Sequence, residues 1–182
     1  MSEGSTIMAE WVALLRGVNV GGGNKVPMAD LRALATGLGW TDVRSYIASG
    51  NLVFSAEGQA GSLAAALRQA MVARMGVDVP VLVLPGAAIR AALSDCPFQP
   101  EKGSHVHAFF LWSEAVIDEA VLEAHRAPTE TFVCQPRIAW LHAPDGIGRS
   151  KLAERMSRVV TGTEVTARNL NTVAKLAAML TP

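Results

Sequence analysis

The spacing of apolar positions changes period several times along the chain. WVALLRG (11–17) is a short, nearly continuous apolar run, which reads as a buried strand. A polar, glycine-broken stretch follows, and Pro27 suits the first position of a helix, where its missing N–H costs nothing. Leu31, Leu34, Ala35 and Leu38 then recur at helical spacing, with Gly39 as a natural stop. VRSYIAS (43–49) and NLVFSA (51–56) are strand-like runs joined closely around Gly50, which predicts a hairpin. Leu63, Leu67, Ala70, Met71 and Met75 mark a second helix over 62–75, and VPVLVL (79–84) closes the pattern as a strand. The order βαββαβ predicts a ferredoxin-like split βαβ arrangement, an antiparallel sheet backed by two helices.

Pro85-Gly86 reads as a turn and divides the chain into a ferredoxin-like α+β subdomain (8–85) and a second, smaller-sheet α+β subdomain (86–182). The second half predicts a helix around 89–93, an irregular loop CPFQPEKGS (96–104) and a strand VHAFFLW (106–112). Ser113 could then cap a helix carrying Ile117, Val121 and Leu122. TFVC (131–134) and RIAWLHA (137–143) predict two more strands, and two helices, over 149–160 and 169–180, end the chain.

Composition narrows the class. Half of the 182 residues are apolar and 18% are charged, below the roughly 25% usual for globular chains, which argues against disorder. Only the first ten residues read as a loose terminus. No apolar run approaches the roughly 20 residues needed to cross a bilayer, and no signal peptide is visible, so no membrane partner is expected. Cys96 and Cys134 stand apart in sequence and read as reduced thiols of a cytoplasmic protein.

Net charge is zero, but unevenly spread. Residues 1–136 hold nine Lys/Arg against thirteen Asp/Glu, and residues 137–182 hold seven against three. That balance argues against sequence-independent nucleic-acid binding, which needs many phosphates neutralised, and leaves a local anion site open. The strands also lack the aromatic pattern of an RNA-binding sheet, although Tyr46, Phe54, Phe109 and Phe110 could in principle supply a stacking platform.

Four stretches occur in series: ALLRGVNVGGGNKVPMADL, the SYIASGNLVF hairpin, GIGRSKL from Gly146 and TARNLNTVAKL from Thr166. Together they resemble the bacterial domain of unknown function 1697 family, from about Trp11 to Leu180. The resemblance implies a two-part α+β fold with a ferredoxin-like first half and a cytoplasmic location. It carries no catalytic residues over.

Four stretches hold candidate chemistry. In the first, Arg16, Asn19, Gly21, Gly22, Asn24 and Lys25 surround a glycine run between strand and helix. Such a unit can turn backbone N–H groups toward an anion, with Arg16 and Lys25 adding charge. It matches neither GxxxxGK[ST] nor GxGxxG, and plain turn geometry, with Asn19 and Asn24 tolerating a left-handed backbone, explains it as well. The second, Ser49-Gly50-Asn51, lacks the GxSxG of a nucleophile elbow and suits a tight hairpin. The third places Gly148, Arg149, Ser150 and Lys151 at an expected helix start, where cations oppose the macrodipole unless an anion arrives. Arg168 and Asn169 stand at the last expected helix start, and Lys151, Arg155 and Arg158 form a basic stripe that solvent alone can explain.

His105 and His107 alternate on a strand without a third ligand at a recognisable spacing, so no metal or cofactor is expected. The leading expectation is therefore a binding module for a small phosphorylated or carboxylated ligand, held in a cleft between the halves by the three basic stretches. An enzyme using Tyr46, Ser49 or His142, and a protein-interaction or dimerising module, are the alternatives. The oligomeric state stays open.

Overall fold

The computed structural model describes residues 8–182. Of the terminus expected to be loose, residues 1–7 lie outside the described residues, while Ala9 and Glu10 begin β1. The described residues fall into two units. The first runs to Ile89 and also takes in Leu176–Pro182, a return of the chain that no sequence signal marks; the second is Arg90–Lys175.

In the first unit β1 (Ala9–Leu15), α1 (Met28–Gly37), β2 (Thr41–Ser45), β3 (Asn51–Ala56), α2 (Ala60–Met75) and β4 (Val81–Pro85) follow the expected order. The sheet order is β2-β3-β1-β4, with every pairing antiparallel. Alternate strand residues make one apolar face: Trp11, Ala13 and Leu15 on β1, Leu52 and Phe54 on β3, Val81 and Val83 on β4. Leu31 and Ala35 of α1 and Leu63, Leu67 and Met71 of α2 cover that face, which is why the helices carry apolar residues three and four apart. Phe54 stacks on Trp40 with ring centroids 4.0 Å apart. Each large side chain buried in this way contributes about 1.5–3 kcal/mol. The helix ends follow local chemistry: Gly76 takes a left-handed conformation (φ 65°) and closes α2.

Glu10 and Arg44 fasten the returning C-terminal residues. Thr181 donates its backbone N–H to Glu10 Oε1 (2.8 Å), and Arg44 pairs with Glu10 Oε2 (3.0 Å) while donating to the Met179 carbonyl. Burial acts to raise the Glu10 pKa, but the Thr181 and Arg44 contacts outweigh it and hold the carboxyl below its ordinary 4.5. A lowered acid stabilises the fold above its unfolded pKa and loses that contribution as pH falls through the folded one. Glu10→Gln should therefore lower the unfolding temperature at pH 7, and the gap from the parent should close as pH drops below 4.5. Thermal unfolding followed at both pH values checks this.

The second unit begins within α3 (Gly86–Ser94) and holds β5 (Val106–Leu111), β6 (Val116–Ile117), α4 (Glu119–His125), β7 (Thr131–Cys134) and β8 (Ile138–His142). After these come α5 (Lys151–Glu154), α6 (Met156–Val159), β9 (Val160–Thr161), β10 (Val165–Asn169) and the start of α7 (Leu170–Met179), whose residues from Leu176 on belong to the first unit. Its main sheet has the order β10-β5-β8-β7, again antiparallel, and β6 pairs with β9 as a separate ribbon. Phe109, Leu111, Ala139 and Leu141 pack against Leu122, Leu152, Met156 and Val159 to form its core. The protein is thus α+β in both units.

Here the structure departs from the periodicity in three places. Asp118, not Ser113, caps α4, its carboxylate accepting from Val121 N (3.0 Å), and Ile117 lies on a strand. The single helix expected over 149–160 is a 3-10 turn (Ile147–Arg149) followed by the two four-residue helices α5 and α6, broken at Arg155. Arg168 lies on β10, one of two strands hidden between the expected helices. TARN alternates at period two for too few residues to stand out from the helix that follows.

Candidate functional site

The glycine stretch folds as a small hairpin. Gly23 N donates to Val20 O (3.2 Å) and Asn19 N to Asn24 O (3.1 Å), while the two residues between Val20 and Gly23 have positive φ (Gly21 59°, Gly22 76°). Two left-handed central residues define the tight turn that matches strand twist, and glycine takes them at least cost. Asn19 (φ 56°) and Asn24 (φ 48°) are left-handed as well, as short polar side chains permit.

Asn19 is the keystone of this stretch. Its Nδ2 donates to Val26 O (2.9 Å) and to Ala48 O (2.7 Å), and its Oδ1 accepts from Val26 N (2.8 Å). Asn24 Nδ2 adds a bond to Gly17 O (3.3 Å). The glycine hairpin is thereby closed on itself and tied to the turn between β2 and β3. In that turn Asn51, fully buried, donates to Tyr46 O and Ser49 Oγ (both 2.9 Å), and Gly50 O accepts from Leu15 N (2.9 Å).

Between these two clamps sits Ile47 at φ 47°, a β-branched residue in a conformation that such side chains avoid. It is 50% exposed, and Val20 on the glycine hairpin is 62% exposed. Arg16, Gly21, Gly22 and Lys25 are exposed too. No sequence signal marks Ile47; a bond from Asn19 to the residue after it, 29 positions away, is invisible to local pattern.

The remaining candidates lie in the second unit. Gly148, Arg149 and Lys151 are exposed, and Ser150 is buried as the cap of α5, accepting from Ala153 N (3.0 Å). Four residues make a slight dipole, and Ser150 itself answers a free N–H, so the helix-start argument for an anion loses its basis at this motif. Lys151, Arg155 and Arg158 are all exposed, as a solvated stripe would be. Arg168 is 6% exposed, and its guanidinium donates to Thr166 Oγ1 and the Ala167 carbonyl (both 2.8 Å). Burial pulls its pKa down to about 10, still leaving it charged at neutral pH. Asn169 Oδ1 accepts from Thr172 N (2.9 Å) and so caps α7.

Of the possible nucleophiles and bases, Tyr46 and Ser49 stand in the first unit and His142 in the second. Burial, with the Glu119 carboxylate, pushes the Cys134 thiol above its ordinary 9.0, which makes it a poor nucleophile. Phe54, Phe109 and Phe110 are buried in the sheets and offer no stacking platform. No helix of the described residues is long and apolar enough to cross a membrane.

A conserved bacterial protein, SP0830 from Streptococcus pneumoniae, has a solved structure that superposes on this one with a TM-score of 0.72. The two are 26% identical, and the match covers 95% of this chain and 99% of that one. No match is found among curated proteins. The family model described as Protein of unknown function (DUF1697) matches residues 8–140, most of both units, and the chain belongs to that family.

Proposed function

We propose that the protein is a cytoplasmic binding module for a small phosphorylated or carboxylated ligand, with the glycine hairpin of its ferredoxin-like first unit as the principal contact. The observation that carries this reading is the left-handed Ile47, held by the Asn19 and Asn51 clamps beside the glycine hairpin. Strained backbone of this kind costs about 1–3 kcal/mol and persists where surrounding bonds over-determine it, most often at ligand sites. Around it the surface offers what an anion with a short apolar body would use: the cations Arg16 and Lys25, glycine peptide groups without side chains, and exposed Val20 and Ile47. Free thiols at Cys96 and Cys134 suit a reducing compartment.

Thermal unfolding against a panel of nucleotides, sugar phosphates and carboxylates tests the reading. A ligand at about 100 times its dissociation constant stabilises by about 2.7 kcal/mol, a rise of roughly 5–10 °C for a chain of this size. Lys25→Glu should abolish that rise while leaving the unliganded unfolding temperature in place. A flat panel would favour the protein-interaction reading.

A further inference from the structure

The second unit contains a cavity of its own, about 480 Å³, walled by Gln99, Glu101, Lys102, His105 and His142. That volume suits a small molecule. Its frame is tightly specified. His105 N donates to Lys102 O (3.0 Å), and His105 O accepts from Ala143 N (2.8 Å), so the turn Gly103–His105 is bonded both to the Lys102 segment and to the end of β8. The turn has no room for a side chain at Gly103, where a Cβ would stand 2.1 Å from Asn171 Oδ1. The His142 ring rests against Phe98, centroids 5.4 Å apart, which fixes its orientation.

Against this rigid frame the polar side chains are uncommitted. Among the described residues, the rings of His105 and His142, the Lys102 ammonium, the Gln99 amide and the Glu101 carboxylate make no hydrogen bond or ion pair with the protein. Donors outnumber acceptors: an ammonium, two imidazoles and an amide face one cavity with a single carboxylate.

We propose that this cavity is a second, separate site that binds a tetrahedral oxyanion, such as the phosphate group of a monoester. The Lys102 ammonium, the two imidazoles and the Gln99 amide can each donate a hydrogen bond to an oxygen of such a group, and the ammonium makes its bond a charge-assisted one.

Sulfate is the probe, because it is a tetrahedral oxyanion with no other group to be recognised. In a titration followed by the imidazole ring-proton resonances, sulfate should shift the signals of His105 and His142. His142→Gln and Lys102→Gln should each weaken binding while leaving the unfolding temperature unchanged, and Lys25→Glu should leave it intact. Unmoved ring resonances, or binding that survives the pair His105→Gln and His142→Gln, would each overturn the proposal.

Discussion

Gly50→Ala is expected to destabilise the protein by about 3 kcal/mol or more, the largest effect of any single methyl group added to the first unit. Two costs combine. Gly50 has φ 86°, a left-handed conformation that costs an L-residue about 1–2 kcal/mol. A Cβ there would also lie 2.8 Å from both Leu15 Cβ and Val18 Cγ2, closer than real Cβ contacts allow. Leu15 and Val18 are buried, so neither can swing aside into solvent, and overpacking of this kind adds about 1–3 kcal/mol. Gly22→Ala is the matched control. Gly22 also has positive φ (76°), but a Cβ would meet nothing within 4 Å, so only the conformational cost of about 1 kcal/mol remains. Denaturant unfolding of the two variants separates the effects. Equal losses would mean that Gly50 does not press on the end of β1 as described.

His107 should make the protein acid-sensitive. Its Nδ1 is buried without a hydrogen-bond partner among the described residues, and burial lowers the pKa of the ring from 6.5 to about 4. The unfolded chain takes up the proton near pH 6.5, whereas the folded one resists it until about pH 4. Between those values the unfolded state holds more protons, so stability falls as pH falls. The gap corresponds to about 3 kcal/mol, nearly all of it lost by pH 4. His107→Leu removes both the titration and the buried unpartnered nitrogen. It should match or exceed the parent at pH 7 and hold a growing advantage from pH 6.5 to pH 4. Parallel pH profiles of parent and variant would refute the account of His107.

The first unit was legible because its two signals are local. Leu31, Ala35, Leu63, Leu67 and Met71 repeat at the helical period, and the strand runs are apolar enough to stand alone. The glycine run was legible as a turn for the same reason, since Asn19 and Asn24 are residue types that tolerate the left-handed backbone they adopt. What could not be read was everything made by distant partners. The bond from Asn19 to Ala48, the strain at Ile47 and the tethering of Thr181 by Glu10 each join segments far apart in sequence. The second unit misled where elements are short. Val160, Thr161 and the stretch 165–169 form strands of two and five residues beside helices of four, too brief for either period to declare itself. Arg149 and Lys151 consequently read as flanking the start of a long helix, when the dipole they would oppose is that of a single turn.

The proposed function places a small anion on the glycine hairpin, which is clamped to the turn between β2 and β3. A backbone amide titration with inorganic phosphate, followed residue by residue in solution, tests it most directly. The predicted result is saturable shifts at Gly21, Gly22, Gly23 and Lys25 and at Ile47 and Ala48 across the clamp, all lost in Lys25→Glu. Amides that stay fixed in both segments while phosphate binds elsewhere, or does not bind at all, would contradict it.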